Sequence, residues 1–148
     1  MLAADSRKRR LKRRIFYRNE GWNGSKRKTG DLTTIENGEQ VAKATLPDLP
    51  EGTTPADAEA TIHSHPTETQ IKDGKFYPQT ATQPSPTDRT TFSQYGTNFI
   101  VGRLGQATVT QNSNGSYNIN QKDLGAVIYK GNAAPIMLTQ KAIGRIIK

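Results

Sequence analysis

Residues 61–66 read Thr-Ile-His-Ser-His-Pro, and residues 84–88 read Pro-Ser-Pro-Thr-Asp. His63 and His65 are the only histidines of the chain, and they lie two positions apart. In a β-strand, this spacing places both imidazole rings on the same face. Asp88 begins a predicted helix after a proline-rich turn, so it can return to the end of the histidine strand. Two histidines and one carboxylate predict a zinc site with an open fourth position, which is the arrangement of a catalytic zinc.

The two stretches together resemble the JAMM motif of the JAB/MPN zinc metallopeptidases, in which a glutamate precedes His-Ser/Thr-His-Pro and Pro-Ser-x-x-Asp. The resemblance is specific over residues 61–101. It implies an α+β fold with a mixed β-sheet flanked by helices, the cytidine-deaminase-like sandwich of the JAB/MPN family. The gap between His65 and Ser85 is longer than in the family's pattern. We interpret residues 67–83 as an inserted loop, because surface loops tolerate added length.

The resemblance also implies a role for each site residue. His63, His65 and Asp88 would bind Zn²⁺, and Ser85 would donate a hydrogen bond to the oxyanion of the tetrahedral intermediate. An upstream glutamate would be the general base. Glu20 is preferred because it follows the first predicted helix, as the family's glutamate does, although the apolar run that usually follows that glutamate is absent. The alternatives that stay open are Glu36, Glu39, Glu51 and Glu59.

Ser85 and Asp88 also have a simpler interpretation. A serine after a proline is commonly a helix cap, and an acidic residue in the first turn of a helix is favoured by the helix dipole alone. The metal-site interpretation is preferred because both residues occupy motif positions together with the two histidines.

The remaining pattern predicts the elements of a single α+β domain. We expect a short helix over residues 6–18, a loop or weak edge strand over 22–30, and a hairpin of 31–36 with 39–45 around Asn37-Gly38. A surface connection over 46–55 precedes a strand over 58–65, whose histidines should lie on the less apolar face. Residues 67–83 predict an excursion around Asp73-Gly74, either a lid or a tolerated insertion. A helix from 84–88 to about 95, strands at 98–102, 106–111, 117–120 and 126–129, and a closing helix from about 135 complete the chain. The apolar stripe of that last helix, from Met137 to Ile147, is interpreted as core.

Composition limits the class of protein. The chain has 148 residues, 32% of them hydrophobic, which fits one domain with a modest core. Cysteine is absent, so disulfides and thiolate zinc sites are excluded. No apolar run is long enough to predict a membrane span, and the first residues lack the apolar core of a signal peptide. The location is therefore unknown, and export as part of a larger effector is one expectation.

The net charge of +8 is concentrated at the start of the chain. Residues 1–28 contain eleven lysines and arginines against Asp5 and Glu20, a net charge of +9, so the rest of the chain is close to neutral. We divide the chain into a basic arm or short helix, residues 1–18, and one JAB/MPN-like domain, residues 19–148. The arm can bind nucleic acid or an acidic partner, or it can be a solvated terminus.

The resemblance therefore implies a zinc-dependent peptide or isopeptide hydrolase acting on a protein or peptide substrate. Small relatives also occur as toxin domains of bacterial secreted effectors, which implies an immunity protein as a partner. The alternative is a non-catalytic JAB/MPN-like binding module whose basic arm holds nucleic acid or an acidic protein.

Overall fold

The structure, a computed structural model, describes residues 10–19 and 22–147. The elements follow in the order β1 (Arg10–Asn19), β2 (Trp22–Leu32), β3 (Thr34–Glu36), β4 (Glu39–Val41), β5 (Ala58–Ser64), β6 (Gln70–Lys72), β7 (Lys75–Tyr77), α1 (Pro86–Thr91), β8 (Asn98–Arg103), β9 (Thr108–Gln111), β10 (Tyr117–Asn120), β11 (Leu124–Tyr129), β12 (Ile136–Thr139) and α2 (Gln140–Ile146), with a 3₁₀ turn at Pro55–Asp57. The chain is a mixed α+β protein dominated by strands, which confirms the coarse fold class. Within the described residues, no helix combines the length and the apolar character needed to cross a membrane.

A six-stranded mixed sheet in the order β12-β11-β8-β5-β1-β2 forms the centre of the fold. Strands β5 and β8 are parallel, whereas the other neighbours are antiparallel. A parallel pair requires a long crossover, because the chain must return to the same end of the sheet. Here the crossover carries hairpin β6–β7 and helix α1. The start of α1 therefore returns toward the end of β5.

The hydrophobic core lies against one face of this sheet. Ile100 of β8 and Val127 of β11 are register partners, and both are fully buried. Phe92 and Tyr95, which follow α1, pack into the same cluster. Burial of such side chains stabilises the fold by about 1.5–3 kcal/mol each. Helix α1 is thereby fixed over the middle of the sheet, and its first turn is fixed with it.

The helix predicted over residues 6–18 is wrong for its described part, because Arg10–Asn19 forms β1. The run Ile15-Phe16-Tyr17 consists of β-branched and aromatic residues, which favour strands. Strand β1 also pairs on both sides, with β2 and with β5. Residues 10–18 of the predicted arm are thus part of the sheet, and β2 is the edge strand expected as one alternative for residues 22–30.

The prediction of the closing helix is also wrong for its first turn. Ile136–Thr139 forms β12, which pairs with β11, and α2 begins only after Thr139. The Thr139 hydroxyl caps α2 by accepting from the backbone N–H of Ala142 at 3.2 Å. The apolar residues expected in the core are largely at the surface, since Met137 is 57% exposed and Ile147 is 76% exposed.

The predicted turns are confirmed. Asn37 and Gly38 have φ of 50° and 79°, and Asp73 and Gly74 have φ of 51° and 71°. Positive φ at both central residues is the type I′ geometry that matches the twist of a two-residue hairpin. The turns close hairpins β3–β4 and β6–β7. Hairpin β9–β10 is confirmed as well.

Candidate metal centre

His63 lies on the buried face of β5, not on an open one. The predicted strand is confirmed as Ala58–Ser64, but Thr61 is 0% exposed and His63 is 1% exposed. The less apolar face of β5, which carries the histidines, is therefore the more buried face at Thr61 and His63. A register shift between Phe16 and Tyr17 makes Glu59 an extra residue of β5, so the alternation changes there. This β-bulge places Ala58, Thr61 and His63 toward the core.

His65 lies just beyond β5, and the backbone still holds it against β8. Its N–H donates to the carbonyl of Val101 at 2.9 Å, which continues the parallel ladder by one residue. Asp88 is the third residue of α1 and is also buried. The crossover thus brings Asp88 to the carboxyl end of the strand that carries both histidines.

The three predicted ligands converge. One donor atom from each of His63, His65 and Asp88 lies within 4.8 Å of the others. The two Nε2 atoms of the histidines are 3.3 Å apart. Nε2 of His63 lies 3.1 Å from Oδ1 of Asp88, and Nε2 of His65 lies 3.1 Å from Oδ2. No other acidic residue or histidine of the described chain joins this cluster.

These separations match a tetrahedral zinc site. Zinc binds histidine nitrogen at about 2.0–2.1 Å and carboxylate oxygen at about 2.0–2.2 Å, so two ligands of one tetrahedron are about 3.3 Å apart. Nε2 to Nε2 at 3.3 Å and Nε2 to Oδ at 3.1 Å agree with this edge length. The donor set of two imidazoles and one carboxylate also leaves a fourth position for a further ligand. The residues present fit a zinc ion.

The tautomer of His65 is set by the loop that precedes α1. Nδ1 of His65 donates to the carbonyl oxygen of Thr80 at 2.8 Å. A carbonyl can only accept, so Nδ1 carries the proton, and Nε2 of the neutral ring has the lone pair that a metal requires. The loop itself is fixed, because the N–H of Ala81 donates to the carbonyl of Arg103 at 2.8 Å. Gly102 permits this close approach, since a Cβ there would lie 3.0 Å from Cβ of Ala81.

The other imidazole is held by an aromatic stack. The rings of His63 and Phe92 are 4.8 Å apart between centroids and only 7° from parallel. Phe92 is 1% exposed, and its ring covers His63 on the core side. Such burial excludes water and restricts rotation of the imidazole. Deeper in the sheet, the hydroxyl of Thr61 donates to Oδ1 of Asn98 at 2.5 Å, which ties β5 to β8 next to the site.

Ser85 is the N-cap of α1 and holds Asp88. Its hydroxyl accepts from the backbone N–H of Asp88 at 3.0 Å and donates to Oδ2 of Asp88 at 2.7 Å. The N–H of Ser85 donates to the same oxygen at 2.9 Å. The arrangement is a capping box, so the simpler interpretation of both residues is confirmed together with their place in the cluster. The predicted oxyanion role of Ser85 stays a prediction.

The electrostatics of the cluster favour an ionised carboxylate. Burial by itself raises the pKa of Asp88, but the hydrogen bonds and charges of His63 and His65 outweigh it and hold that pKa well below its usual range. Asp88 therefore stays negative throughout the physiological range. A carboxylate and two imidazole nitrogens that meet in a buried site require a positive charge, supplied either by protons on the rings or by a metal cation.

The general base is not identified. Glu20 lies outside the described residues. Its described neighbour Asn19 ends β1, and near that end Tyr17 pairs with Ala58, five residues along β5 from His63. The alternatives do not join the cluster. Glu36 forms an ion pair with Lys43 at 3.0 Å, and the other three alternatives are exposed: Glu39, Glu51 and Glu59.

Two residues that position the site were not anticipated. Thr80 acts through its backbone carbonyl, which any residue type provides, so the sequence contains no signal for it. Phe92 stacks on His63 from the residue after α1, and this contact depends on the buried orientation of the histidine face. That orientation follows from the bulge at Glu59, which the alternating pattern does not reveal.

Comparisons of the chain with protein-family models, curated proteins and solved structures give no match. Function is therefore inferred from the geometry and chemistry of the cluster.

Proposed function

We propose that the chain is a zinc-dependent hydrolase of peptide or isopeptide bonds, of the JAMM type that its motif resembles. The observation that supports this most strongly is the convergence of His63, His65 and Asp88 at tetrahedral ligand distances. These residues are separated by up to twenty-five positions, and all three occupy positions of the motif.

The connectivity around the cluster supports the finer fold assignment. His63 lies near the end of β5 and His65 directly follows that strand, Asp88 lies in the first turn of α1, and β8 is parallel to β5. Carboxyl ends of parallel strands next to a helix start are common sites for ligands in α/β units. We assign the sheet and its crossover to a JAB/MPN-like, cytidine-deaminase-like sandwich, in which hairpin β6–β7 is an insertion in the crossover.

The residues of the chain have separate tasks in this proposal. A zinc ion bound by the cluster would lower the pKa of water to about 7 and polarise the scissile carbonyl. His63, His65 and Asp88 would hold the ion, and Thr80 and Ser85 would orient two of these ligands. Phe92 excludes water from the core side of the site, which strengthens the electrostatic interactions within it.

Proton transfer requires a carboxylate next to the reacting groups. Glu20 remains our candidate for this general base, which would accept a proton from water and donate it to the leaving amine. The Ser85 hydroxyl donates its hydrogen bond to Asp88. It would have to give up this bond to donate to the oxyanion. We therefore expect Ser85 to act mainly as a positioning residue. A place in a secreted effector, with an immunity protein as partner, belongs to the same proposal through the resemblance alone.

One observation favours a second candidate, the non-catalytic binding module. Within the described residues, no glutamate joins the cluster, so the base is not accounted for there. Lys26, Arg27 and Lys28 are also consecutive, exposed cations on edge strand β2. A metal-stabilised module that binds an acidic protein or nucleic acid would show both features.

Metal analysis and a hydrolysis assay distinguish the two candidates. We expect close to one zinc per chain in the purified protein, and loss of zinc in His65→Ala and Asp88→Ala. With a random peptide library and a lysine-linked branched peptide as substrates, Glu20→Gln should keep zinc but lose about 10²–10⁴-fold in rate. Glu51→Gln is the matched control and should keep both the bound zinc and the hydrolysis rate. Zinc without hydrolysis of either substrate would favour the binding module, and a chain without zinc would refute both metal-dependent forms.

A further inference from the structure

The strand register relates Lys28 to the metal centre. Position 13 of β1 is the register partner of His63, and Lys28 of β2 is the register partner of the same position. Partners in neighbouring antiparallel strands belong to the same face of a sheet. Lys28 therefore lies in the same row and on the same face as His63, two strands away. Because strands are about 4.8 Å apart, the Cα atoms of Lys28 and His63 are about 10 Å apart.

Along this row, the side chains of this face change from buried to exposed. On one side of His63, the next positions are Ile100 and Val127, both 0% exposed. On the other side, Lys28 is exposed, as is Lys26 in the next row of that face. The β2 end of the row is therefore its exposed end, and the described cations there are lysines.

A cavity of about 240 Å³ lies at the open end of the row. Its walls are β2 and the chain that follows β4, and its lining residues are Lys28, Thr29, Gly30, Lys43, Ala44 and Thr45. Gly30 is buried, and a Cβ there would lie 2.5 Å from both Cβ of Ala44 and the carbonyl oxygen of Lys43. The missing side chain thus allows the two walls to meet. We refer to this space as the Lys28 cavity.

Two lysines, Lys28 and Lys43, line the Lys28 cavity. Lys43 contacts the carboxylate of Glu36 at 3.0 Å. An ammonium has three donors, so this ion pair leaves Lys43 with donors for a second anion. Among the side chains that the structure describes, no acidic group forms an ion pair with Lys28. The cavity therefore has donors and positive charge for one anionic group.

Cations on an edge strand discourage edge-to-edge pairing of sheets, which explains exposed charges on either face of β2. That role does not require a cavity between Lys28 and Lys43.

We propose that the Lys28 cavity binds a carboxylate of the substrate peptide, about three residues from the bond that is hydrolysed at the metal centre. An extended peptide rises about 3.3 Å per residue, so three residues span the separation between Lys28 and His63. The volume fits one terminal or side-chain carboxylate and is too small for a nucleic acid backbone that tracks along a groove. The position relative to the cleaved bond rests on the proposed hydrolase function, whereas carboxylate binding does not.

A binding experiment tests the carboxylate site without any catalysis. Acetyl-trialanine with a free carboxylate is titrated into ¹⁵N-labelled protein, and its carboxamide form is the matched ligand. For the free acid, we expect amide shifts centred on residues 28–30 and 43–45. The affinity obtained from these shifts should be about 10- to 100-fold lower in Lys28→Ala. It should be unchanged in Lys72→Ala, which replaces an exposed lysine of β6. Equal shifts with the carboxamide, or an undiminished response in Lys28→Ala, would overturn the proposal. A single-stranded oligonucleotide that shifts these residues when the free acid does not would also overturn it, in favour of nucleic acid.

A hydrolysis experiment tests the spacing. Peptides with one aspartate scanned along an alanine-rich sequence are digested, and the cleavage sites are mapped by mass spectrometry. We expect cleavage about three residues from the aspartate, with KM about tenfold higher in Lys28→Ala while the zinc content is unchanged. Cleavage that ignores the aspartate would refute the spacing but not the hydrolase. Absence of cleavage in all peptides by the zinc-loaded protein would instead refute the hydrolase.

Discussion

Replacing Ser85 by alanine separates a capping role from a role in the metal centre. The Ser85 hydroxyl accepts from the N–H of Asp88 at 3.0 Å and donates to Oδ2 at 2.7 Å. Loss of an N-cap costs about 1 kcal/mol, and loss of a hydrogen bond to a charged group costs about 1.5–3 kcal/mol. The N–H of Ser85 still donates to the carboxylate at 2.9 Å. We therefore expect Ser85→Ala to lower the free energy of unfolding by about 2 kcal/mol.

The same substitution should weaken zinc binding. Partners that orient a metal ligand typically contribute about 10- to 100-fold to metal affinity. Because Ser85 holds one oxygen of Asp88, we expect its loss to reduce zinc affinity within that range. The assay is competition with a chromophoric zinc chelator at pH 7.5, combined with urea unfolding of the metal-free protein.

The chain offers a matched control in its second helix. Thr139 also caps a helix, accepting from Ala142 N–H at 3.2 Å, but neither residue belongs to the cluster. Thr139→Ala should cost about 1 kcal/mol or less of stability and leave zinc affinity unchanged. Zinc affinity that is equal in Ser85→Ala and the wild type would refute the positioning role. An equal loss in both variants would show that general destabilisation, not ligand geometry, weakens the site.

Three further outcomes follow from the geometry. A metal-binding imidazole must be deprotonated, so protons compete with zinc for His63 and His65 as the pH falls, whereas Asp88 stays ionised because its pKa is held low; zinc affinity measured by chelator competition from pH 8 to pH 5 should then fall by up to about 100-fold per pH unit, and a flat profile would contradict the assigned ligands. Zinc at 100 times its dissociation constant should stabilise the fold by about 2.7 kcal/mol and raise Tm by about 8 °C in calorimetry, and no rise would argue against binding to the folded state. Gly102→Ala adds a Cβ about 3.4 Å from Cβ of His65, so it should lower the free energy of unfolding by about 1–3 kcal/mol and weaken zinc binding. Gly96→Ala is the control, because a Cβ there meets nothing within 4 Å. Equal losses of stability and zinc affinity in the two variants would contradict the packing.

Local sequence patterns were sufficient to predict much of the fold. The Asn37-Gly38 turn predicted hairpin β3–β4, and Asp73-Gly74 predicted the turn that joins β6 to β7, because positive φ at both central residues is a property of the turn itself. Ser85 was also recognised as a candidate helix cap, because a serine after a proline commonly caps a helix. The predicted helices were wrong over residues 10–18 and 136–139, because pairing with neighbouring strands determines the secondary structure there. Their apolar residues recur at spacings that suit a helix, but pairing with β2, β5 and β11 makes them strands.

The cluster of His63, His65 and Asp88 was predictable because three residue types at motif positions limit the possible chemistry. Their support was not predictable, since it depends on contacts between distant segments. The carbonyl of Thr80 orients His65 across fifteen positions, and the Phe92 ring stacks on His63 from twenty-nine positions away. The orientation of the histidine face also depended on one extra residue, Glu59, in the pairing of β5 with β1. No local pattern encodes these three contacts.

Anomalous X-ray diffraction at the zinc absorption edge is the most direct measurement of the metal centre. From crystals grown with one equivalent of zinc, we expect a single strong peak about 2.0–2.2 Å from Nε2 of His63, Nε2 of His65 and one carboxylate oxygen of Asp88. The peak should be absent in crystals of Asp88→Ala. Zinc bound elsewhere on the chain, or no peak while the three side chains keep the contacts of 3.1–3.3 Å described above, would contradict the existence of the metal centre.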